Sequence, residues 1–222
     1  MQSRTIIITA GGIGKRMGSE LPKQFIEVCG KPILQHTLEA FFSYDNTLQI
    51  ILTLPEEWKD YWKETLQNQQ CTIPHLIVSG GEERYHSIKN ALAHATGEWI
   101  GVHDGVRPLV SRETIERCFL ALEHEQAAIP VLKPKESIRK IIDATSQKED
   151  RECIRLVQTP QCFRAETLRK AYEKPFHAGV TDDAGLVEEA GFPIFLVEGN
   201  EENIKITTPF DLQIATFFLQ QL

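Results

Sequence analysis

Short apolar runs that alternate with segments of helical periodicity constrain this chain's fold more than any other feature. The runs are TIIIT, QIILTL, HLIVSG, WIGVHD, AAIPVL and PIFLVEG, and they read as strands. Between them lie KPILQHTLEAFF, EEWKDYWKETLQ, ERYHSIKNALAHA and SRETIERCFLALEHE, whose apolar residues fall at helical spacing. Such alternation predicts an α/β, Rossmann-like fold: a mostly parallel twisted sheet with helices on both faces. Ile6, Ile7 and Ile8 form an unbroken β-branched run, as expected of a strand buried on both sides. With no repeat and no linker, residues 1–222 read as a single domain.

One stretch breaks the rhythm. From Lys133 to Phe163 the sequence is KPKESIRKIIDATSQKEDRECIRLVQTPQCF, in which SIRKIID and ECIRLVQT read as two strands flanking a polar turn. A projecting β-arm at about 133–163 is expected. An isolated hairpin is marginal in water, so Ile138, Ile141, Ile142, Ile154 and Leu156 ask for a partner surface, and a second subunit is the natural one. Beyond the arm come a helix in AETLRKAYEK, another in TDDAGLVEEAG with Thr181 as N-cap, and a last one in TTPFDLQIATFFLQQ. Thr208, Pro209 and Asp211 give that last helix a strong start.

The turn after Ile8 is where chemistry first suggests itself. Gly11, Gly12 and Gly14 remove the Cβ atoms that would keep a ligand off the backbone, and Lys15, Arg16 and Lys23 follow closely. Positive charge beside open N–H groups suits a polyanion such as a nucleoside triphosphate. A Walker loop is excluded, because Gly14-Lys15 is followed by Arg16 where Ser or Thr is required. The dinucleotide fingerprint fails by one position: Gly12 and Gly14 are followed by Met17 where the third glycine belongs, with Gly18 one residue late. That argues against an NAD-dependent oxidoreductase. Within a chain of net charge -7, the cations form a local anion site and not a nucleic-acid surface.

Other compositional features narrow the class. The chain is 41% hydrophobic and 25% charged, an ordinary globular balance. No apolar run reaches membrane-spanning length and no signal-peptide core is evident, so a cytoplasmic protein is expected. The five cysteines never show C-x-x-C spacing, which fits reduced thiols, and the seven histidines lack metal-ligand spacing.

Three further segments carry candidate groups. HDGVRP ends a strand with Asp104 and sets Arg107 three residues on; Asp104 could hold Mg²⁺ or a substrate hydroxyl, or simply cap the loop and pair with Arg107. GGEERYHS offers Glu82 and Ser87 to a base or ribose, though a plain helix start also explains the acids. Lys205, in the apolar strand pattern NIKITTP beside Ile204 and Ile206, either meets an anion or faces solvent at a sheet edge. No nucleophile elbow or Cys-His motif is present, so covalent catalysis is not favoured. Phosphoryl and nucleotidyl transfer, which rest on positioning and charge, match this inventory.

Taken in order, AGGIGKRMG, LPKQF, HDGVRP, TPQCF, TDDA and NIKITTPFDL resemble the 2-C-methyl-D-erythritol 4-phosphate cytidylyltransferase family of the non-mevalonate isoprenoid pathway, over about Ile6 to Ala215. The resemblance implies a nucleotidyltransferase-type fold and a reaction of CTP with the sugar-alcohol phosphate, giving the cytidine diphosphate product and pyrophosphate. It implies Mg²⁺, or another divalent cation, with Asp104 as the candidate ligand. It assigns transition-state stabilisation to Arg16 and Lys23, and the aiming of the acceptor phosphate to Arg151 and Lys205. CTP would be held by Ala10, Gly11, Gly12, Gly14, Lys15, Gly81, Glu82 and Ser87, and the sugar phosphate by Asp104, Arg107, Ser137 and Thr181. Family members are homodimers whose arm reaches the neighbour's site. Glu82, Ser137 and Gly11 depart mildly from the family's usual Asp, Thr and Ala. Ribitol 5-phosphate cytidylyltransferases share AGGIGKRMG, TPQ and NIKITTP, and Thr181 favours the methylerythritol branch. A catalytically silent nucleotide-binding regulator is the reading from another class, against which Arg16, Lys23 and Lys205 are all present.

Overall fold

The computed structural model describes residues 2–12 and 21–221. From the amino end the strands are β1 (Arg4–Thr9), β2 (Glu27–Val28), β3 (Lys31–Pro32), β4 (Gln49–Leu54), β5 (Leu76–Ser79) and β6 (Trp99–Asp104). Then follow β7 (Ala127–Leu132), β8 (Ile138–Ile142), β9 (Thr145–Glu149), β10 (Leu156–Val157), β11 (Gln161–Arg164) and β12 (Phe195–Glu198). The helices are α1 (Ile33–Tyr44), α2 (Lys59–Asn68), α3 (Arg84–Leu92), α4 (Arg112–Ala121), α5 (Ala165–Ala171), α6 (Asp183–Glu189) and α7 (Pro209–Leu219). None of the described helices is long and apolar enough to cross a membrane.

The main sheet runs β10-β7-β11-β6-β1-β4-β5, with β12 also paired to β7. Strands β6, β1, β4 and β5 are mutually parallel, and β11 enters antiparallel between β6 and β7. In register, Ile7 lies between Ile51 and Val102. Side chains alternate across the pleat, so Ile6, Ile8, Ile50 and Leu52 pack on one face with Phe41 and Phe119. Ile7, Ile51, Ile100 and Val102 pack on the other with Ile88 and Leu168. Both faces are therefore apolar, which is why these runs show no polar alternation; each fully buried isoleucine contributes about 1.5–3 kcal/mol. Gly101 in the middle of β6 is needed for space: a Cβ there would stand 2.8 Å from Ile6 Cδ1.

Three local expectations are corrected. The arm hairpin is tighter than expected: β8 pairs with β9, Ile138 opposite Glu149 and Ile142 opposite Thr145, across a turn in which Asp143 has φ 50°. The polar TSQKE segment, expected as the turn, is thus a strand, and it takes the place of ECIRLVQT as the partner of SIRKIID. Residues Arg151–Cys153 make one 3₁₀ turn, after which β10 and β11 rejoin the main sheet. Apolar alternation fails as a guide here because both faces of β9 are largely exposed, and a two-sided exposed strand carries no such pattern. Second, α6 is capped by Asp182, whose carboxylate accepts from Gly185 N at 3.0 Å, and Thr181 lies one residue outside. Third, Asn203 to Thr207 is not a strand; a single backbone bond, Ile206 N to Val106 O at 3.0 Å, ties this extended segment to the loop after β6. The start of α7 is as expected, a capping box of Thr208 and Asp211 with Pro209 in the first turn.

Candidate active site

Parallel α/β sheets bind ligands at the carboxyl ends of their strands, where loops from different parts of the chain converge. Here β1 runs into Ala10, Gly11 and Gly12, β5 into Gly80 to Glu83, and β6 ends on Asp104. Ala10, Gly11, Gly12, Gly81 to Glu83 and Asp104, together with Lys23, Arg84, Ser87 and Lys205, line a cavity of about 300 Å³. A larger cleft at the opposite, amino edge includes Arg4 and Arg164. Both are committed there, Arg4 to the Tyr44, Trp99 and Phe119 rings and Arg164 to the carbonyls of Leu122, Glu123 and Glu125.

The glycine turn is braced from below. Gln24 is buried and its Nε2 donates to Ala10 O at 2.7 Å, while Phe25 beside it packs against Trp58, Tyr61 and Trp62. Lys23 stands on the same 3₁₀ turn, so its two buried neighbours aim it into the cavity. The loop after β5 is closed by Ser87, whose Oγ accepts from Gly81 N at 3.0 Å and donates to Glu83 O at 3.2 Å. Glu82 is exposed on the rim. Gly81 leaves no room for a side chain, since a Cβ would lie 2.4 Å from His86 Cβ. Gly81→Ala is therefore expected to push this loop outward and raise the KM for the nucleotide about tenfold or more, with kcat affected less. Steady-state kinetics with varied nucleotide checks this, and an unchanged KM would remove the loop from nucleotide binding.

Asp104 is the electrostatic centre. Its Oδ2 lies 3.1 Å from both Arg107 Nε and Lys205 Nζ, and its Oδ1 lies 3.8 Å from Arg84 Nε. Burial alone would push the Asp104 carboxyl up, but the charges of Arg84, Lys205 and Arg107 outweigh it and hold the group well below the usual carboxylate range. Arg107 also donates through Nη1 to Asn203 O at 2.8 Å, which pins the extended segment carrying Lys205. Both readings of the Asp104–Arg107 pair thus have a counterpart in the geometry: the two side chains do pair, and Asp104 still faces the cavity. Lys205, 45% exposed, is held by Asp104 instead of standing at a sheet edge.

The structure gathers Ala10, Gly11, Gly12, Lys23, Gly81, Glu82, Ser87, Asp104 and Lys205 around one cavity, with Arg107 behind Asp104. Gly14, Lys15 and Arg16 lie outside the described residues. Ser137 and Arg151 are not brought to the cavity within the chain; both are exposed at the arm, where Arg151 Nη1 donates to Lys135 O at 2.9 Å. Thr181 is exposed just before α6 and does not line the cavity. Among the lining residues that the sequence did not single out are Gln24 in LPKQF and Arg84 in GGEERYHS. The motifs were visible, but a buried amide brace and a two-carboxylate contact leave no local signature.

Similarity to known proteins converges on one family. The family model described as 2-C-methyl-D-erythritol 4-phosphate cytidylyltransferase matches residues 5–221. A protein of that name from Bacteroides fragilis is 52% identical over 217 residues, covering 97% of this chain and 99% of its own. Among solved structures, the 4-diphosphocytidyl-2C-methyl-D-erythritol synthase of Anaerococcus prevotii superposes with a TM-score of 0.85 at 30% identity, covering 99% of this chain and 96% of that one. The 2-C-methyl-D-erythritol 4-phosphate cytidylyltransferase of Thermus thermophilus gives 0.81 at 31% identity, covering 99% of this chain and all of that one. With its glycine turn, Lys23 and the Asp104–Lys205 pair converging on one cavity, the chain belongs to the 2-C-methyl-D-erythritol 4-phosphate cytidylyltransferase family.

Proposed function

We propose that this chain transfers the cytidylyl group of CTP to 2-C-methyl-D-erythritol 4-phosphate, a step of the non-mevalonate isoprenoid pathway. The observation that carries this reading is that Lys23, from the amino end, and Lys205, from the carboxyl end, line one cavity with the Gly81 to Glu83 loop and Ser87. An oxygen of the acceptor phosphate attacks the α-phosphorus of CTP, forming the new P–O bond as the bond to the β-phosphate breaks and pyrophosphate leaves. Both reactants are anions, so the barrier is lowered chiefly by positioning and by cations aimed at the charge that develops. Lys23 and Arg16 serve the departing pyrophosphate side. Ala10, Gly11, Gly12, Gly81, Glu82 and Ser87 cradle the nucleotide, with Gly14 and Lys15 completing the turn. Asp104 takes hydroxyls of the acceptor, and Lys205 leaves its pairing with Asp104 to grip the acceptor phosphate.

Mg²⁺, or another divalent cation, fits this site as an ion carried in on the triphosphate. Among the described residues no cluster of three or more His, Cys, Asp or Glu side chains could hold it alone. Asp104 Oδ1 accepts no hydrogen bond from a described residue and can supply one carboxylate ligand, the usual protein share when phosphates provide the rest. When bound, the ion neutralises phosphate charge and stabilises the leaving group. The protein is read as a cytoplasmic homodimer in which the arm delivers Arg151, and with it Ser137, to the partner's site. The exposed Ile141 and Ile142 on the hairpin, and Leu156 and Val157 on the neighbouring edge strand β10, support this reading, because apolar surface on a two-stranded projection and a sheet edge asks to be covered.

The test is pyrophosphate release across four nucleoside triphosphates and two acceptors, methylerythritol phosphate and ribitol 5-phosphate. CTP with methylerythritol phosphate is the expected productive pair, and faster turnover with ribitol 5-phosphate would overturn it.

A further inference from the structure

We infer that Arg84 is a positioning residue for cytidylyl transfer: a guanidinium strut that sets the spacing between the nucleotide loop, Asp104 and the Thr181 segment. Its Nη2 lies 2.6 Å from Asp183 Oδ2 and its Nε 3.8 Å from Asp104 Oδ1. Asp183 is fully buried, and its other polar groups are also bonded: Oδ1 accepts from Tyr172 Oη at 2.6 Å, and its N–H donates to Gln161 Oε1 at 3.1 Å. That same Gln161 oxygen accepts from Ala184 N at 2.9 Å, and Gln161 Nε2 donates to Asp182 Oδ2 at 2.8 Å. The amino end of α6 is thus locked to β11, and Arg84 is locked to α6.

A guanidinium held this way is not a mobile arm for catching phosphates. Arginine is suited to such a role because its planar fork can serve two carboxylates at fixed angles, which a lysine ammonium cannot reproduce. Arg84 opens α3 directly after the Gly81 to Glu83 loop, and Asp183 comes two residues after Thr181. The strut therefore joins the loop assigned to the base to Asp104, which takes the acceptor's hydroxyls, and anchors both on the amino end of α6. Asp104 Oδ2 is occupied by Arg107 and Lys205, so Arg84 faces the oxygen that remains open to the acceptor. In-line displacement depends steeply on such spacing, a displacement of about 1 Å being enough to cost about 10²-fold.

This inference rests on the proposed cytidylyl transfer, and its test separates the two. Removing Arg84 alone would strand the buried Asp183 carboxylate and endanger folding. The variant of choice is the pair Arg84→Met with Asp183→Asn, in which the carboxamide oxygen still accepts from Tyr172 and no buried charge is left unpaired. Thermal unfolding, CTP affinity by calorimetry, and kcat and KM for methylerythritol phosphate are measured in parallel with wild type. The expected result is an unfolding temperature within about 5 °C of wild type, a CTP Kd within about threefold, and kcat lower by about 10²-fold with a raised acceptor KM. Asp183→Asn alone, which frees one end of the strut and buries no unpaired charge, is expected to fold and lose about tenfold in kcat, and it decides the matter if the double variant does not fold. Wild-type kcat in either folded variant would overturn the inference, as would a loss confined to CTP affinity, which would make Arg84 a direct nucleotide ligand. A wild-type protein inactive on this substrate pair would instead overturn the proposed function.

Discussion

Lys23→Ala is expected to lower kcat by about 10²- to 10³-fold while leaving the KM for the sugar phosphate within about threefold. The argument begins below the side chain. Pro22 sets the entry to the 3₁₀ turn, Phe25 is 1% exposed in an aromatic cluster, and Gln24 is clamped to the Ala10 carbonyl. Lys23 is thus presented from a rigid base, next to the glycine turn over which a triphosphate would lie; Gly12 is close enough that a Cβ on it would lie 3.6 Å from Lys23 Cε. A fixed ammonium is worth most where negative charge grows, on the departing pyrophosphate, so its loss falls on the transition state more than on acceptor binding. Lys23 is half-buried and belongs to none of the apolar core clusters, so the unfolding temperature should stay close to wild type. Steady-state kinetics with a calorimetric check of acceptor binding decides the point, and an unchanged kcat would remove Lys23 from the mechanism.

Mixing Lys23→Ala with Arg151→Ala is expected to restore activity that neither variant has alone. Arg151 sits at the root of the exposed hairpin, where its Nη1 donates to the Lys135 carbonyl, and it does not line the cavity of its own chain. If the arm crosses to the partner in a two-fold dimer, each site takes Lys23 from one chain and Arg151 from the other. Random reassortment makes about half the dimers mixed, each with one intact and one doubly damaged site, so up to roughly a quarter of wild-type activity should return. Native mass spectrometry of differently tagged chains establishes that exchange occurred. Exchange without a gain in activity would mean that Arg151 serves its own chain's site or none, leaving the arm as a dimer clamp.

Particular elements show where sequence reasoning reached and where it stopped. Strands β1, β4 and β6 coincide with their apolar runs because each is buried on both faces, so apolar side chains dominate both layers. The capping box at Thr208 and Asp211 was equally legible, since its hydrogen bonds are local. Strand β9 was not, because an exposed strand obeys no burial pattern, and β11 was not, because its place between β6 and β7 depends on pairing with residues tens of positions away. Thr181 lost the N-cap position to Asp182, two chemically similar caps that sequence alone does not rank.

The candidate site divides along the same line. The sequence by itself determined the alternating α/β layers, the glycine turn, the presence of Lys23, Asp104, Arg107 and Lys205, and the family, because each is written in short contiguous motifs. Only the tertiary structure decided that Lys205, from an irregular segment, meets Asp104, that Arg84 spans Asp104 and Asp183, and that Arg151 does not line its own chain's cavity. Motifs are local because they encode backbone shape and side-chain chemistry. Which charges pair is decided by the folding of distant segments against one sheet edge, where burial makes an unpaired carboxylate costly and so selects its partners.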